Sequence, residues 1–177
     1  KDLGYIKNNA LTKKGEFASK IYGYELSLAE LYERGHLENL SELELGVLCL
    51  GLVFEPRKTS ILPKLSKTTK SIKNITDTIL ENIERSERKL KIKPFSKKYY
   101  FHLSPCLEAW TRNESFDNIL RYTDSDEGEI IRYFRMTVQI LRELMDTPCS
   151  QEFKEKTLKL TRIINRDIID AEKQLRG

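Results

Sequence analysis

Arg132 and Arg135 stand three residues apart in a segment whose apolar residues, Ile130, Ile131, Phe134, Val138, Leu141, Leu144 and Met145, recur at helical spacing. On a helix that spacing sets both guanidinium groups on neighbouring positions of one face. Paired guanidiniums grip phosphates bidentately or stack under bases, which suits a helix lying along a nucleic-acid strand. Surface pairing with Glu127 or Glu129 would use the same two cations, and spacing alone leaves both readings open. Arg121, Tyr122 and Tyr133 add charge and rings close by in the sequence.

Other chemistry is sparse. The chain has two histidines, His36 and His102, and neither sits in a recognisable Ser or Cys constellation, so imidazole-centred catalysis has few candidates. His102 and Cys106 are four apart and would share a helix face, but no third or fourth metal ligand is evident. Asp124, Asp126, Glu127 and Glu129 form an acidic cluster, which is the composition favoured in the first turn of a helix and is read as capping, not as a cation site. Phosphate-binding loops, dinucleotide turns, zinc-protease helices and nucleophile elbows are all missing from the 177 residues. No catalytic residue, metal ligand or cofactor site is therefore assigned to this chain. Three widely spaced cysteines, Cys49, Cys106 and Cys149, give no CxxC pair and no disulfide framework, which fits a reducing, cytoplasmic setting. The longest apolar run, Leu45–Phe54, is too short to span a membrane and reads as buried core. The first residues, Lys1 to Tyr5, show no signal-peptide pattern and no initiator Met, as in a piece of a longer protein.

The formal charge of +4 conceals an asymmetry. Residues 57–98 carry 13 Lys/Arg against 4 Asp/Glu, a local charge of +9, which leaves the rest of the chain at −5. A local positive field points to a polyanion or an acidic partner, although solubility of a long exposed helix would account for lysines too.

The elements that must position these residues are helical throughout. Thr12 is the N-cap of a short helix reaching about Tyr22, and Tyr24–Tyr32 forms a second, stopped at Gly35. Ser41 with Glu44 is a capping box opening an almost wholly apolar helix to Phe54, which Pro56 ends. Arg57–Leu65 reads as an extended connector. A long helix then spans Ser66–Leu90, with Ile72, Ile75, Ile79, Leu80 and Ile83 as its one apolar stripe. A buried helix over Lys98–Arg112, a short one capped by Ser115, a longer one capped by Thr123-Asp124, and a last one over Gln151–Leu175 complete the set. No strand is expected. The fold class is all-α, an irregular bundle of about seven to eight helices, with residues 1–22 as the end of a winged-helix or linker segment and 23–177 as the bundle.

Several of these residues, taken in order, resemble one family along nearly the whole chain. Leu11-Thr12-Lys13-Lys14-Gly15 with Ala18 is similar to its L-x-x-K-G-x-x-A segment. Glu25–Leu31 with Gly35 is similar to E-L-L-L-T-E-L-x-x-x-G, and Leu52–Arg57 to F-V-F-x-x-R. Trp110, Phe116, Ile119, Thr123-Asp124, Glu127-Gly128 and Ile131-Arg132 are similar to W-x-x-G-x-x-F-x-x-I-x-x-x-T-D-x-x-E-G-x-x-I-R, with Asn113 where Gly is usual and Arg135 three residues after Arg132. Ile164–Ile169 resembles the ending I-x-R-D-I-V. The family is the DSH carboxy-terminal domain, the helical region that closes superkiller-type DExH-box helicases of superfamily two.

The resemblance implies a non-catalytic domain that packs on two RecA-like motor domains of the same polypeptide and lines the exit channel of a single RNA (or DNA) strand. It implies a ratchet-like helix with Arg132 and Arg135 as strand contacts and a second contact region at Glu55 and Arg57. ATP, Mg and the hydrolase activity of the parent would belong to the motor domains, with no cofactor in this chain and no membrane contact. Exosome-associated members carry a further basic residue where Met136 stands here. Two alternatives remain at this stage. One is a helix-turn-helix DNA binder built on Phe116–Tyr122 and the following helix, against which the acidic start of that helix counts. The other is a protein-interaction scaffold using the basic 57–98 segment.

Overall fold

The computed structural model describes residues 3–171. The all-α expectation holds, with one small exception: Ile6–Lys7 (β1) and Ala10–Leu11 (β2) pair as a two-residue antiparallel hairpin, where no strand was expected. Asn8 and Asn9 make its turn with φ of 51° and 61°, the two-residue turn in which Asn is favoured. Eight helices follow among the described residues: α1 (Lys13–Ala18), α2 (Glu25–Glu33), α3 (Glu42–Val53), α4 (Lys67–Leu90), α5 (Ser104–Thr111), α6 (Phe116–Ile119), α7 (Glu127–Met145) and α8 (Gln151–Ile164). Short 3-10 turns occupy Leu120–Tyr122 and Asp167–Ile169.

α3 is the axis. Its capping box is complete, and every residue from Leu45 to Val53 is buried, because α4, α5, α7 and α8 pack around it. α4 contributes the apolar stripe Ile72, Ile79, Leu80 and Ile83, with Ile75 at its edge, and buries Thr69, Thr76 and Glu87 on the same side. Burial of each such side chain contributes about 1.5–3 kcal/mol. Residues 3–22 join the same core: Phe17 is fully buried and stacks on Tyr32 at 4.5 Å. Gly15 is required there by close approach, since a Cβ would lie 2.1 Å from the Tyr5 carbonyl oxygen. The neighbouring Lys14 is buried too, paired with Glu30 and donating to the Leu3 carbonyl.

Four boundaries differ from expectation. α1 ends at Ala18, four residues early, because three-residue turn bonds and the Tyr22 N–H to Glu143 Oε2 bond at 3.1 Å divert the chain toward α7. The helix expected over 98–112 begins only at Ser104. Tyr99, Phe101 and Leu103 are buried alternately in a non-helical segment that ends in a turn at His102-Leu103, and the Tyr100 N–H donates to the Gly51 carbonyl at 2.8 Å. Phe101 lies where a Cβ on Gly51 would sit, at 2.9 Å. α7 is capped by Asp126, not by Thr123-Asp124: Asp126 Oδ1 accepts from the Glu129 N–H at 2.8 Å, and Asp124 is used elsewhere. α8 stops at Ile164. Trp110 Nε1 donates to the Ile164 carbonyl at 3.0 Å, and Arg166 stacks on the Trp110 ring at 3.4 Å, which turns the chain away from the helix axis. The expected continuation to Leu175 lies partly outside the described residues.

Among the described residues no helix is long and apolar enough to cross a membrane. Asn113 has φ 67°, the left-handed conformation for which Gly is the usual residue and which Asn tolerates better than most. Asn113 thus makes the left-handed turn between α5 and α6.

Candidate nucleic-acid interface

Arg132 and Arg135 share α7 but not a fate. Arg135 is half-buried, and its guanidinium donates from Nε to the Ile169 carbonyl (2.9 Å) and from Nη2 to the Ile168 carbonyl (3.0 Å). These bonds tie α7 to the turn after α8. Met136, beside it, packs partly buried against the core. Arg132 is exposed, and among the described residues no carboxylate pairs with it. Its guanidinium lies 4.5 Å from the centre of the Tyr133 ring and donates to the Tyr133 hydroxyl at 2.8 Å.

Tyr133 carries that position to the end of α3. Its hydroxyl donates to the Glu55 carbonyl at 3.3 Å, and its ring meets Phe54 edge-on at 4.8 Å. The Glu55 carboxylate, largely exposed, pairs with Lys97 at 3.0 Å, and Lys97 also donates to the Val53 carbonyl. Arg57 projects from the same exit. Its Nη2 is 3.1 Å from Glu129 Oε2 and donates to the Asp124 carbonyl at 3.2 Å, with half of the side chain still open to solvent. Glu55, Arg57 and Arg132 are therefore brought to one corner, although 75 residues separate Arg57 from Arg132. Arg135 stands apart from it. The pairing with Glu129 considered for the α7 arginines is made by Arg57 instead.

His102 lines the corner with its ring 5.4 Å from Phe54 and 6.3 Å from Tyr100, and its Nδ1 is buried without a hydrogen-bond partner. Burial pushes its pKa below the ordinary 6.5, against the opposing pull of the Asp124 charge. Cys106, four residues on, is in the core, where its thiol donates toward the Ile119 carbonyl and burial pushes its pKa up to about 12. Cys49 is likewise raised to about 12 and Cys149 to about 11 by burial, which removes the thiolate needed for nucleophilic or metal chemistry. Among the described residues no group of three or more His, Cys, Asp or Glu is arranged around a metal position. The acidic cluster is consumed locally: Asp126 caps α7, the Asp124 carboxylate accepts from the Ile61 N–H at 3.1 Å, and Glu129 faces Arg57.

Sequence reasoning offered Tyr133 only as a ring close to the arginines, without its link to Glu55, and it missed Lys97, which no local pattern would have singled out. The role of Arg166 was hidden as well. It donates from Nη2 to the carbonyls of Trp110 (3.0 Å) and Glu114 (2.9 Å), so the Ile-x-Arg-Asp ending serves to close the bundle.

The family model of the DSHCT (NUC185) domain matches residues 8–172. The chain is also similar to mRNA transport homolog 4 of Caenorhabditis elegans, 26% identical over 178 residues, which cover 96% of this chain and 17% of that protein. It is similar to ATP-dependent RNA helicase mtr4 of Schizosaccharomyces pombe, 24% identical over 176 residues (94% and 16%). It is similar to Exosome RNA helicase MTR4 of Homo sapiens, 27% identical over 182 residues (96% and 17%). The chain thus spans about a sixth of the length of the curated relatives it matches.

Proposed function

The chain belongs to the DSHCT (NUC185) domain family, and on that premise we propose that it is the non-catalytic accessory domain of an ATP-dependent RNA helicase, contacting a single strand as the motor draws it past. ATP, Mg and hydrolysis belong, in this reading, to RecA-like motor domains elsewhere in the same polypeptide. The observation that supports it most is the corner at which Arg132, without a carboxylate partner among the described residues, stands beside the half-open Arg57 over a floor of Phe54 and Tyr133. An exposed guanidinium held beside a ring offers a donor to phosphate or a plane to a base without first breaking an internal ion pair.

Arg135 enters this proposal as a positioning residue. Its bonds to the Ile168 and Ile169 carbonyls hold α7 in place so that Arg132 presents at the corner. Glu55 limits the positive field there and keeps Lys97 against α3, which favours weak, releasable contact over tight binding. RNA is preferred over DNA because two of the similar proteins, those of Schizosaccharomyces pombe and Homo sapiens above, are named RNA helicases.

The test is fluorescence polarisation of a labelled single-stranded RNA against matched DNA, over a salt series. Arg132→Ala is expected to weaken RNA binding and to reduce the slope of log K against log salt by about 0.7, the loss of one single-strand phosphate contact. Unchanged affinity and slope in a variant with unaltered thermal stability would overturn the assignment of Arg132.

A further inference from the structure

We propose that the connector after Arg57 and the opening of α4 form a second landing for a nucleic-acid backbone, made by Lys58, Lys64, Lys67 and Lys70 and continuous with the Arg57/Arg132 corner. The inference rests on the strand-contacting reading above and extends it to a sequence-indifferent path.

Elsewhere on the surface many cations are matched: Lys73 pairs with Asp77, Arg88 with Glu84, Arg112 with Glu114 and Lys159 with Glu42. Between Arg57 and Thr76 there is no acidic residue at all, and Lys58, Lys64, Lys67 and Lys70 are each exposed, with no ion pair among the described residues. Lys67 and Lys70 lie one turn apart, so their stems are neighbours about 5–6 Å apart at Cβ. They also occupy the first turn of α4, which holds no acidic residue. Two cations at the positive end of a helix dipole oppose the usual preference and are relieved by a bound anion.

The patch is held in place. Arg57 N–H donates to Ser60 Oγ at 3.0 Å and closes a turn, the Ile61 N–H donates to Asp124 Oδ2, and Ser66 Oγ caps α4. Asp124 therefore joins this connector directly to the residues leading into α7, where Arg132 lies. The acids that face the patch from neighbouring elements are already engaged: Glu108 accepts from the hydroxyls of Ser66 and Thr69, Asp124 from Ile61, and Glu129 faces Arg57. No aromatic residue occurs from Arg57 to Thr76, so contact there is to phosphate and not by base stacking. Ile61 and Leu62 are exposed among the lysines, but two aliphatic side chains are a small apolar area beside four unpaired charges.

The experiment uses the 177-residue chain with all four lysines changed to Ala, set beside Arg132→Ala, with oligo(U) and oligo(A) RNA over a salt series. The quadruple variant is expected to lower the salt slope by about 2.8, so that a fourfold rise in salt costs the wild type about 50-fold more affinity than it costs the variant, equally for both oligonucleotides. All four side chains are exposed, and thermal melts confirm that the variant is folded. A slope unchanged from wild type overturns the path while leaving the Arg132 result to stand or fall by itself. Wild-type binding too weak to measure at low salt overturns it as well. Retained RNA binding with lost binding of poly-L-glutamate identifies the patch as a dock for an acidic protein and equally sinks the proposal.

Discussion

Two cationic regions of this bundle use their charge in opposite ways. At the closing end, Arg135 and Arg166 are turned onto backbone carbonyls, and Arg166 also covers the buried Trp110. At the corner and connector, Arg132 and four lysines face solvent without carboxylate partners among the described residues. A guanidinium bound to carbonyls satisfies helix ends and chain turns that would otherwise be orphaned, at the expense of its availability to a ligand. Family resemblance does not distinguish the two uses, since Arg132, Arg135 and Arg166 all belong to the residues on which it rests.

The contrast is sharpest in stability. Trp110→Ala removes a fully buried ring together with the surface on which Arg166 lies, and chemical denaturation should show a loss of about 3–5 kcal/mol. A loss below 1 kcal/mol would mean that the closing end is not held by this stack. Next in size, Arg135→Ala should cost about 1.5–3 kcal/mol through two charge-assisted bonds to carbonyls, whereas Arg132→Ala should stay within about 0.5 kcal/mol of wild type. Equal costs for the two substitutions would erase the distinction between them.

The smallest effect belongs to His102. Because its folded-state pKa lies below 6.5, the unfolded chain binds the extra proton first as pH falls. Its contribution is thus fully present above about pH 6.5 and declines below it, so melting temperature should fall between pH 7 and pH 5. His102→Gln should flatten that part of the profile. A profile identical to wild type would transfer the pH sensitivity to another group.

Much of the scaffold was legible because it is written in neighbours four residues apart or fewer. Thr12, Ser41 and Ser115 cap the helices expected of them, and the apolar run at Leu45–Val53 is the buried axis. The misreadings lie where a distant partner overrides a local pattern. Residues 98–103 stay out of the helix because Gly51 offers a carbonyl and room for Phe101, though the alternation of Tyr99, Phe101 and Leu103 with Pro105 following was a readable sign. Asp124 lost its expected capping role to Asp126 because the connector claims it. Ile164 ends its helix because Trp110, 54 residues earlier, takes its carbonyl.

The order of helices, the caps at Thr12, Ser41 and Ser115 and the apolar faces followed from the residue order alone, since propensity, capping and amphipathicity are local and need no knowledge of the fold. Which arginine holds the bundle and which faces solvent was decided only in three dimensions. Arg132 and Arg135 have the same side chain, the same helix and nearly the same position, and they differ by whether carbonyls more than 30 residues away come within hydrogen-bonding reach.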